Sequence, residues 1–303
     1  MDQLKHSFYE LKFEIAFYEK GGNEFQDFFS NIMEKCHPGD FLRVRPWGNV
    51  GDRKNDGYLR SKRTLFQVYA PNEMTAKEAI IKINEDFHGA IPYWQEYFDN
   101  WIFVHNSRKG LGPQITATLL ELTTYHESVV VTSWGFEELR INVFSLNEVD
   151  LASLLGPAPS NRDMFDVRYA NVQEVLSHIA KQEPSLLQDL RPVPSDKLKR
   201  NHLSADVQNL LTAGMQKADL VRNFFNDHYN PLYGDEVAEA FKKEYNKYRT
   251  LQMDPDIIFR KLQEFTGGLE RGTPTDQAAV LAVLAYLFEQ CEIFERSPEE
   301  VAL

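Results

Sequence analysis

Cysteine and long apolar runs are scarce in this sequence of 303 residues. Its two cysteines, Cys36 and Cys291, lie too far apart in the sequence to form a disulfide framework or a Cys-x-x-Cys metal site. No stretch approaches the roughly 18 uninterrupted apolar residues that a membrane-spanning helix needs, and the opening residues mix charged and apolar side chains, unlike a signal peptide. These absences predict a soluble protein of the cytoplasm without membrane contact.

Positive charge is also in short supply, because 33 Lys and Arg residues stand against 45 Asp and Glu residues, a net charge of −12. This balance argues against a protein that coats nucleic acid over its whole surface. Hydrophobic residues make up 43% of the chain and aromatic residues 13%, which is ample for a packed core. The length fits two domains.

The first half of the chain alternates helix and strand patterns. A helix is followed by three strands that begin near residues 41, 56 and 64, and then by helix, strand, helix, strand and helix. Strands that alternate with helices imply parallel pairing through crossover helices. We therefore predict an α/β domain over residues 1–155, built on a mixed sheet flanked by helices.

The second half shows no strand pattern. Turn-rich segments around a short helix predict a linker over residues 156–203, and residues 204–303 predict a small all-α bundle. From Ser204 onward there are 17 acidic and 10 basic residues, a net charge of −7, which does not favour nucleic-acid binding. Helix starts are indicated at Ser204, at Asp235, and where Asp254 and Thr273 each precede a proline.

A local excess of positive charge interrupts the acidic first half. Residues 43–63 contain seven basic side chains against two acidic ones. These seven, below termed the basic strip, are Arg43, Arg45, Arg53, Lys54, Arg60, Lys62 and Arg63. Two interpretations are open: a surface that faces nucleic-acid phosphates, or a strand edge that charged side chains keep soluble.

Asp56 and Gln67 are the candidate ligands of a metal ion. Asp56 lies at the start of the second predicted strand and Gln67 within the third. Side chains on neighbouring strands lie about 5 Å apart, so the two can meet across the hairpin. Carboxylate and amide oxygens bind Mg²⁺, which could polarise a phosphodiester and lower the pKa of an attacking water.

This pair resembles the motif of the restriction-endonuclease-like nucleases, specifically their Mrr-like branch. The resemblance places Asp56 on the metal-binding aspartate, Gln67 on the second ligand, and Phe25-Gln26 on a helical Phe-Glu motif. It implies a catalytic set of Asp56, Gln67 and a lysine, with Mg²⁺ as the cofactor of an active DNA endonuclease.

The sequence departs from that motif at two positions. Gln26 replaces a glutamate, although Glu24 lies close, and Tyr69 stands where the resemblance implies the catalytic lysine. Lys82 on the following helix, or Lys54 beside the aspartate, could supply the missing ammonium group. Two interpretations stay open. The domain is an active nuclease that uses Lys82, or it binds nucleic acid without cutting it and needs no cofactor.

Across its length the chain resembles subunits of the bacterial ABC-three-component conflict systems, of which Lamassu-type antiphage defence is a relative. The order of segments carries this resemblance: residues 44–59 with Phe66-Gln67-Val68-Tyr69, and later residues 234–249 and 254–265. It implies an effector domain whose helical C-terminal domain couples it to an SMC/ABC-type ATPase and a third subunit. DNA is the expected target, and self-association is open. The alternative is a non-catalytic adaptor that binds no nucleic acid.

Three further residues are candidates with two interpretations each. His105 and Asn106 end a predicted strand, where α/β folds place functional groups, but a buried, hydrogen-bonded histidine with no catalytic role is the favoured interpretation. Trp47 could stack on a base or pack in the core. The remaining histidines lack zinc-ligand spacing, and no Walker motif is present, so ATP hydrolysis would belong to a partner.

Overall fold

The computed structural model describes residues 1–45, 53–180, 201–267, 273–290 and 294. The chain divides into two compact units. Residues 12–155 form one, termed the α/β unit, and residues 1–11 with 156–303 form the other, termed the helical unit. The first helix, α1 (Gln3–Glu19), contributes residues to both. Within the described ranges, no helix is long and apolar enough to cross a bilayer.

The α/β unit is built on a five-stranded mixed sheet in the order β1-β2-β3-β4-β5. The strands are β1 (Phe41–Arg43), β2 (Gly57–Leu59), β3 (Thr64–Tyr69), β4 (Asn100–His105) and β5 (Val130–Trp134). Adjacent strands are antiparallel from β1 to β3 and parallel from β3 to β5. The predicted α/β class, with its mixed sheet and parallel crossovers, is confirmed.

Helices cover both faces of this sheet. They are α2 (Gly22–Cys36), α3 (Ala76–Trp94), α4 (Pro113–Tyr125), α5 (Phe136–Phe144) and α6 (Glu148–Leu155). Side chains alternate along β3, so Leu65 joins the core formed with α3 and α4, whereas Phe66 contacts Phe29 of α2 and Trp134 of β5. The sheet therefore has a buried apolar layer on each side.

The helical unit is organised around its last described helix. Its helices are α7 (Asn161–Asp166), α8 (Tyr169–Ala180), α9 (Ala205–Met215), α10 (Ala218–Asn226), α11 (Tyr233–Thr250), α12 (Pro255–Phe265) and α13 (Pro274–Glu289). Helix α13 is buried along most of its length and packs against α8, α9 and α10. The segment predicted as a linker, 156–203, contributes α7 and α8 to this unit.

Three of the four predicted helix starts are confirmed. Ser204, Asp254 and Thr273 each accept a hydrogen bond from a backbone N–H of the first helical turn. The start predicted at Asp235 is wrong, because α11 already begins at Tyr233 and Asp235 lies within its first turn. An acidic residue is favourable in the first turn as well as at the cap, because both lie next to the positive end of the helix dipole. The local pattern therefore does not separate the cap position from the first turn.

Candidate functional site

Asp56 lies one residue before β2 and links three elements of the α/β unit. Its backbone N–H donates to the carbonyl of Phe66 at 3.0 Å, and its carbonyl accepts from Val44 at 3.3 Å. Its buried carboxylate accepts a hydrogen bond from the backbone N–H of Val68 at 2.7 Å and from the side-chain amide of Gln26 at 2.5 Å. Charge-assisted hydrogen bonds of this kind fix the carboxylate firmly.

Gln67 of β3 directly precedes Val68, whose N–H binds the Asp56 carboxylate. Gln67 is also buried. Its Oε1 atom has no hydrogen-bond partner within the described part of the chain. A buried amide oxygen without a donor is costly, and a cation or a water molecule would relieve that cost.

Asp56 and Gln67 together offer one carboxylate and one amide oxygen to a metal ion. Within the described ranges, no group of three or more His, Cys, Asp or Glu residues could hold a metal. Mg²⁺ is commonly held by one or two carboxylates and completes its coordination with water and substrate phosphates. By donor chemistry Asp56 and Gln67 would supply two protein ligands to Mg²⁺, and water and the substrate would supply the rest of the shell.

A buried carboxylate that our sequence interpretation overlooked joins the two candidate lysines. Asp86 of α3 is fully buried. The Nζ atom of Lys82 lies 2.9 Å from its Oδ2, and that of Lys54 lies 2.9 Å from its Oδ1. The side chains of Lys82 and Lys54 are part exposed, 33% and 39% respectively. Two cations on one carboxylate leave this cluster with a net positive charge.

The backbone at Arg53 and Lys54 adopts an unusual conformation that brings this segment onto α3. Both residues have positive φ angles, 52° and 63°. Residues other than glycine rarely adopt this left-handed backbone conformation. The side chain of Lys54 passes Gly89 so closely that an added Cβ there would lie 2.9 Å from Lys54 Cγ. The carbonyl of Arg53 accepts a hydrogen bond from Trp94 Nε1 at 3.1 Å. These contacts compensate for the backbone strain.

The basic strip divides between the two ends of β2. Arg43, Arg45, Arg53 and Lys54 lie toward the end that Asp56 occupies, because β1 is antiparallel to β2 and Arg43 pairs with Gly57. Arg60, Lys62 and Arg63 follow the opposite end of β2, in the turn that leads to β3. The sequence-predicted strip is therefore two groups, of which only the first shares an end of the sheet with Asp56.

Most of these cations have partners within the protein. Arg43 and Arg45 form ion pairs with Asp27 of α2, and Arg63 does so with Asp99. Arg60 donates to the carbonyl of Gly39, and the Lys62 side chain is exposed. The ion pairs of Arg45 and Arg63 are exposed and therefore weak, whereas the Arg43 side chain is only 17% exposed. Trp47 lies outside the described residues.

His105 has the features of a structural histidine. It is buried, its Nδ1 accepts a hydrogen bond from the backbone N–H of Ser107 at 3.2 Å, and burial lowers its pKa to about 4. The ring is therefore neutral at pH 7 and carries its proton on Nε2. Asn106 donates to the carbonyl of Lys20 at 2.9 Å, which ties the end of β4 to the turn after α1.

Tyr69 pairs with His105 across β3 and β4. Its ring lies 5.9 Å from that of Phe103, and burial raises the pKa of its hydroxyl. A neutral phenol packed in this way brings no positive charge to the site.

Residues 170–295 match the family model of C-terminal domain 10 of the ABC-three component (ABC-3C) systems. The matched range includes α8 from its second residue through α13. The match supports the assignment of this chain to the ABC-three component systems, which contain several subunits, and does not extend to the α/β unit. No curated protein and no solved structure matches the chain.

Proposed function

We propose that this chain is the nucleic-acid-engaging subunit of an antiviral or plasmid-defence complex of the ABC-three-component type, related to Lamassu. In this proposal the α/β unit contacts nucleic acid, and the helical unit docks an SMC/ABC-type ATPase and a third subunit. The family match over residues 170–295 supports the second part. The charges around Asp56 support the first part.

The observation that carries nucleic-acid engagement is the convergence of Lys54 and Lys82 on Asp86. Both lysine side chains are part exposed while the carboxylate is fully buried, and the three side chains together carry a net positive charge. Arg45, with a side-chain exposure of 68%, adds a further cation near the same end of β2. The two units have similar net charges, −5 for residues 12–155 and −7 for the remainder, so the local cluster of cations, and not net charge, favours the α/β unit as the contact.

Binding of a labelled DNA duplex to the full chain, followed by fluorescence anisotropy at several salt concentrations, tests this proposal. About four phosphate contacts predict that affinity falls on the order of a hundredfold between about 50 and 200 mM salt. Absence of binding at every salt concentration would contradict the proposal and favour the adaptor that only recruits an ATPase.

Single substitutions locate the contact. Lys54→Ala and Arg45→Ala should each weaken binding and reduce the slope of log affinity against log salt by about one. Lys77→Ala is the matched control, because Lys77 is an exposed lysine near the start of the same helix that carries Lys82. An equal loss in the control would show that net charge, and no particular site, governs binding.

The partnerless Oε1 atom of Gln67 beside Asp56 favours a second candidate function, metal-dependent DNA cleavage. Asp56 and Gln67 would hold Mg²⁺, and Lys82 would stabilise the charge that develops on the phosphate. The bound ion would polarise the phosphodiester and favour ionisation of a water molecule.

Cleavage of supercoiled and linear DNA with Mg²⁺ or Mn²⁺, with and without the ATPase partner, tests this second function. The wild-type chain and Lys77→Ala should cut, whereas Asp56→Ala and Lys82→Ala should not. If the wild-type chain binds DNA and cuts under none of these conditions, the α/β unit is a binding domain without nuclease activity.

A further inference from the structure

The end of α3 presents two exposed tyrosines next to a cation. Tyr93 is 51% exposed and Tyr97 is 53% exposed, while Trp94 between them packs against the core. The guanidinium carbon of Arg53 lies 4.6 Å from the centroid of the Tyr93 ring. Exposed aromatic rings beside a guanidinium group are the combination on which unpaired bases stack. These three residues are below termed the aromatic platform: Arg53, Tyr93 and Tyr97.

The platform is held in place by several backbone contacts. The N–H of Tyr97 donates to the carbonyl of Trp94 at 2.8 Å, and its carbonyl accepts from the Tyr58 hydroxyl at 2.5 Å. The hydrogen bond from Trp94 Nε1 to the carbonyl of Arg53 holds the backbone of Arg53 against the end of α3. A ligand would therefore pay little conformational entropy to use these rings, since tyrosine has only two side-chain torsions.

Positive charge lies on one side of the platform. Lys54 follows Arg53 directly and reaches Asp86, which lies about two helical turns before Tyr93 in α3. On the other side, Arg63 is bound by Asp99 and by the carbonyl of Glu96. A phosphate backbone that crosses the platform would thus run toward Lys54 and Lys82, away from Asp99.

We infer that Tyr93 and Tyr97 stack on the bases of an unpaired nucleic-acid strand whose phosphates contact Arg53 and Lys54. This inference rests on the proposed function and specifies its substrate class. Stacking requires an open base face, and in a duplex the neighbouring base pairs cover both faces. Duplex DNA can use the cations of this surface, whereas only a strand with unpaired bases can use the two rings.

Anisotropy of a labelled oligothymidylate and of a duplex of equal length, both with the full chain at one salt concentration, tests the inference. The wild-type chain should bind the single strand more tightly. Tyr93→Ala and Tyr97→Ala should each weaken single-strand binding roughly tenfold and change duplex binding less than about twofold. Tyr93→Phe and Tyr97→Phe keep the ring and should bind the single strand as the wild type does.

Tyr125→Ala is the matched control, because Tyr125 is 80% exposed at the end of α4 in the same unit. It should leave both affinities unchanged, and thermal unfolding of each variant checks that the fold is kept. If the alanine variants keep single-strand affinity, or lose single-strand and duplex affinity equally, the inference is wrong while the proposed function stands. If the wild-type chain binds neither nucleic acid, both are wrong.

Discussion

The α/β unit and the helical unit differ in how they hold polar side chains. In the α/β unit, Asp56 is bound by Gln26 from 30 positions away, and Asp86 by Lys54 from 32 positions away. Such contacts exist only after the sheet and its helices have packed. The polar groups of this unit are therefore placed by the tertiary fold, which is the usual arrangement for groups that act on a ligand.

The helical unit also has long-range polar contacts, such as Ser204 with Asp256 and Arg222 with Glu289, but three of its helix starts rest on local ones. Ser204 and Thr273 each accept a hydrogen bond from the residue three positions on, and Asp254 from the residue two positions on. These contacts start helices and stabilise them wherever they pack. In the α/β unit Thr75 caps α3 in the same way, whereas α2 and α4 begin at Gly21 and Gly112, which have no capping side chain. Local signals thus mark three helix starts of the helical unit, whereas the two carboxylates at the candidate site of the α/β unit are held by long-range contacts.

Asp86→Ala tests the long-range contacts most severely. It removes the buried carboxylate and leaves two ammonium groups close together above a void in the core. Because the lysines are part exposed, we expect a loss of about 3 kcal/mol in the free energy of unfolding, at the lower end of the range for broken buried ion pairs. Urea unfolding measures this loss. Asp99→Ala, which removes an exposed ion pair, is the control and should lose less than about 1 kcal/mol of unfolding free energy. Equal small losses would mean that Asp86 does not organise its surroundings.

Gly214→Ala tests the packing of the helical unit. A Cβ added to Gly214 of α9 would lie 2.3 Å from the carbonyl oxygen of Leu281 and 2.8 Å from Cβ of Ala285, both on α13. The two helices must separate to admit it, and we expect a loss of about 2 to 3 kcal/mol in the free energy of unfolding. Gly112→Ala meets nothing within 4 Å and is the control, with an expected loss below about 1 kcal/mol. A loss below that of the control would contradict the close contact of α9 with α13.

His105→Asn tests the pH dependence that burial gives the α/β unit. The folded-state pKa of His105 is about 4, below the unfolded value of 6.5, so the unfolded chain takes up the proton first as pH falls. The contribution of neutral His105 is therefore complete above pH 6.5 and is lost toward pH 4.

Between about pH 7.5 and 4.5 the wild-type chain should lose about 2 kcal/mol more unfolding free energy than His105→Asn. Asparagine keeps an acceptor for the N–H of Ser107, so the two chains differ mainly in the titrating group. Urea unfolding at the two pH values measures the difference. Parallel losses in both chains would show that His105 is protonated in the folded state.

Thr273→Ala tests the local contacts and has the smallest expected effect. Thr273 and Asp276 form a reciprocal capping box at the start of α13. Its loss should reduce the free energy of unfolding by about 1 kcal/mol. Thr124→Ala on the exposed face of α4 serves as the control and should change stability by no more than a few tenths of a kcal/mol. If Thr273→Ala matches that control, local capping does not support the helical unit.

The same contrast explains which features the sequence could predict. The caps at Asp254 and Thr273 were predictable because each signal lies within one helical turn of the helix that it starts. The break between α9 and α10 was not, since the sequence predicts one continuous helix there and neither Gln216 nor Lys217 is a helix breaker. Both helices pack on α13, and that tertiary contact sets the break.

At the candidate site, the position of Asp56 next to β3 followed from the strand pattern, and Gln26 donates a hydrogen bond to its carboxylate. The role of Asp86 was missed, although a local signal existed. Asp86 lies between Ile83 and Phe87 on the buried face of α3 and four residues after Lys82. The second lysine could not be found in this way, because Lys54 reaches Asp86 only through the left-handed backbone at residues 53 and 54.

Amide hydrogen exchange of the full chain, with and without a saturating DNA that carries both paired and unpaired segments, tests the division of labour between the units most directly. We predict slower exchange on DNA binding in residues 53–63 and 82–97 of the α/β unit and no change from α9 to α13. Slower exchange confined to α9 through α13, with none in the α/β unit, would contradict the account.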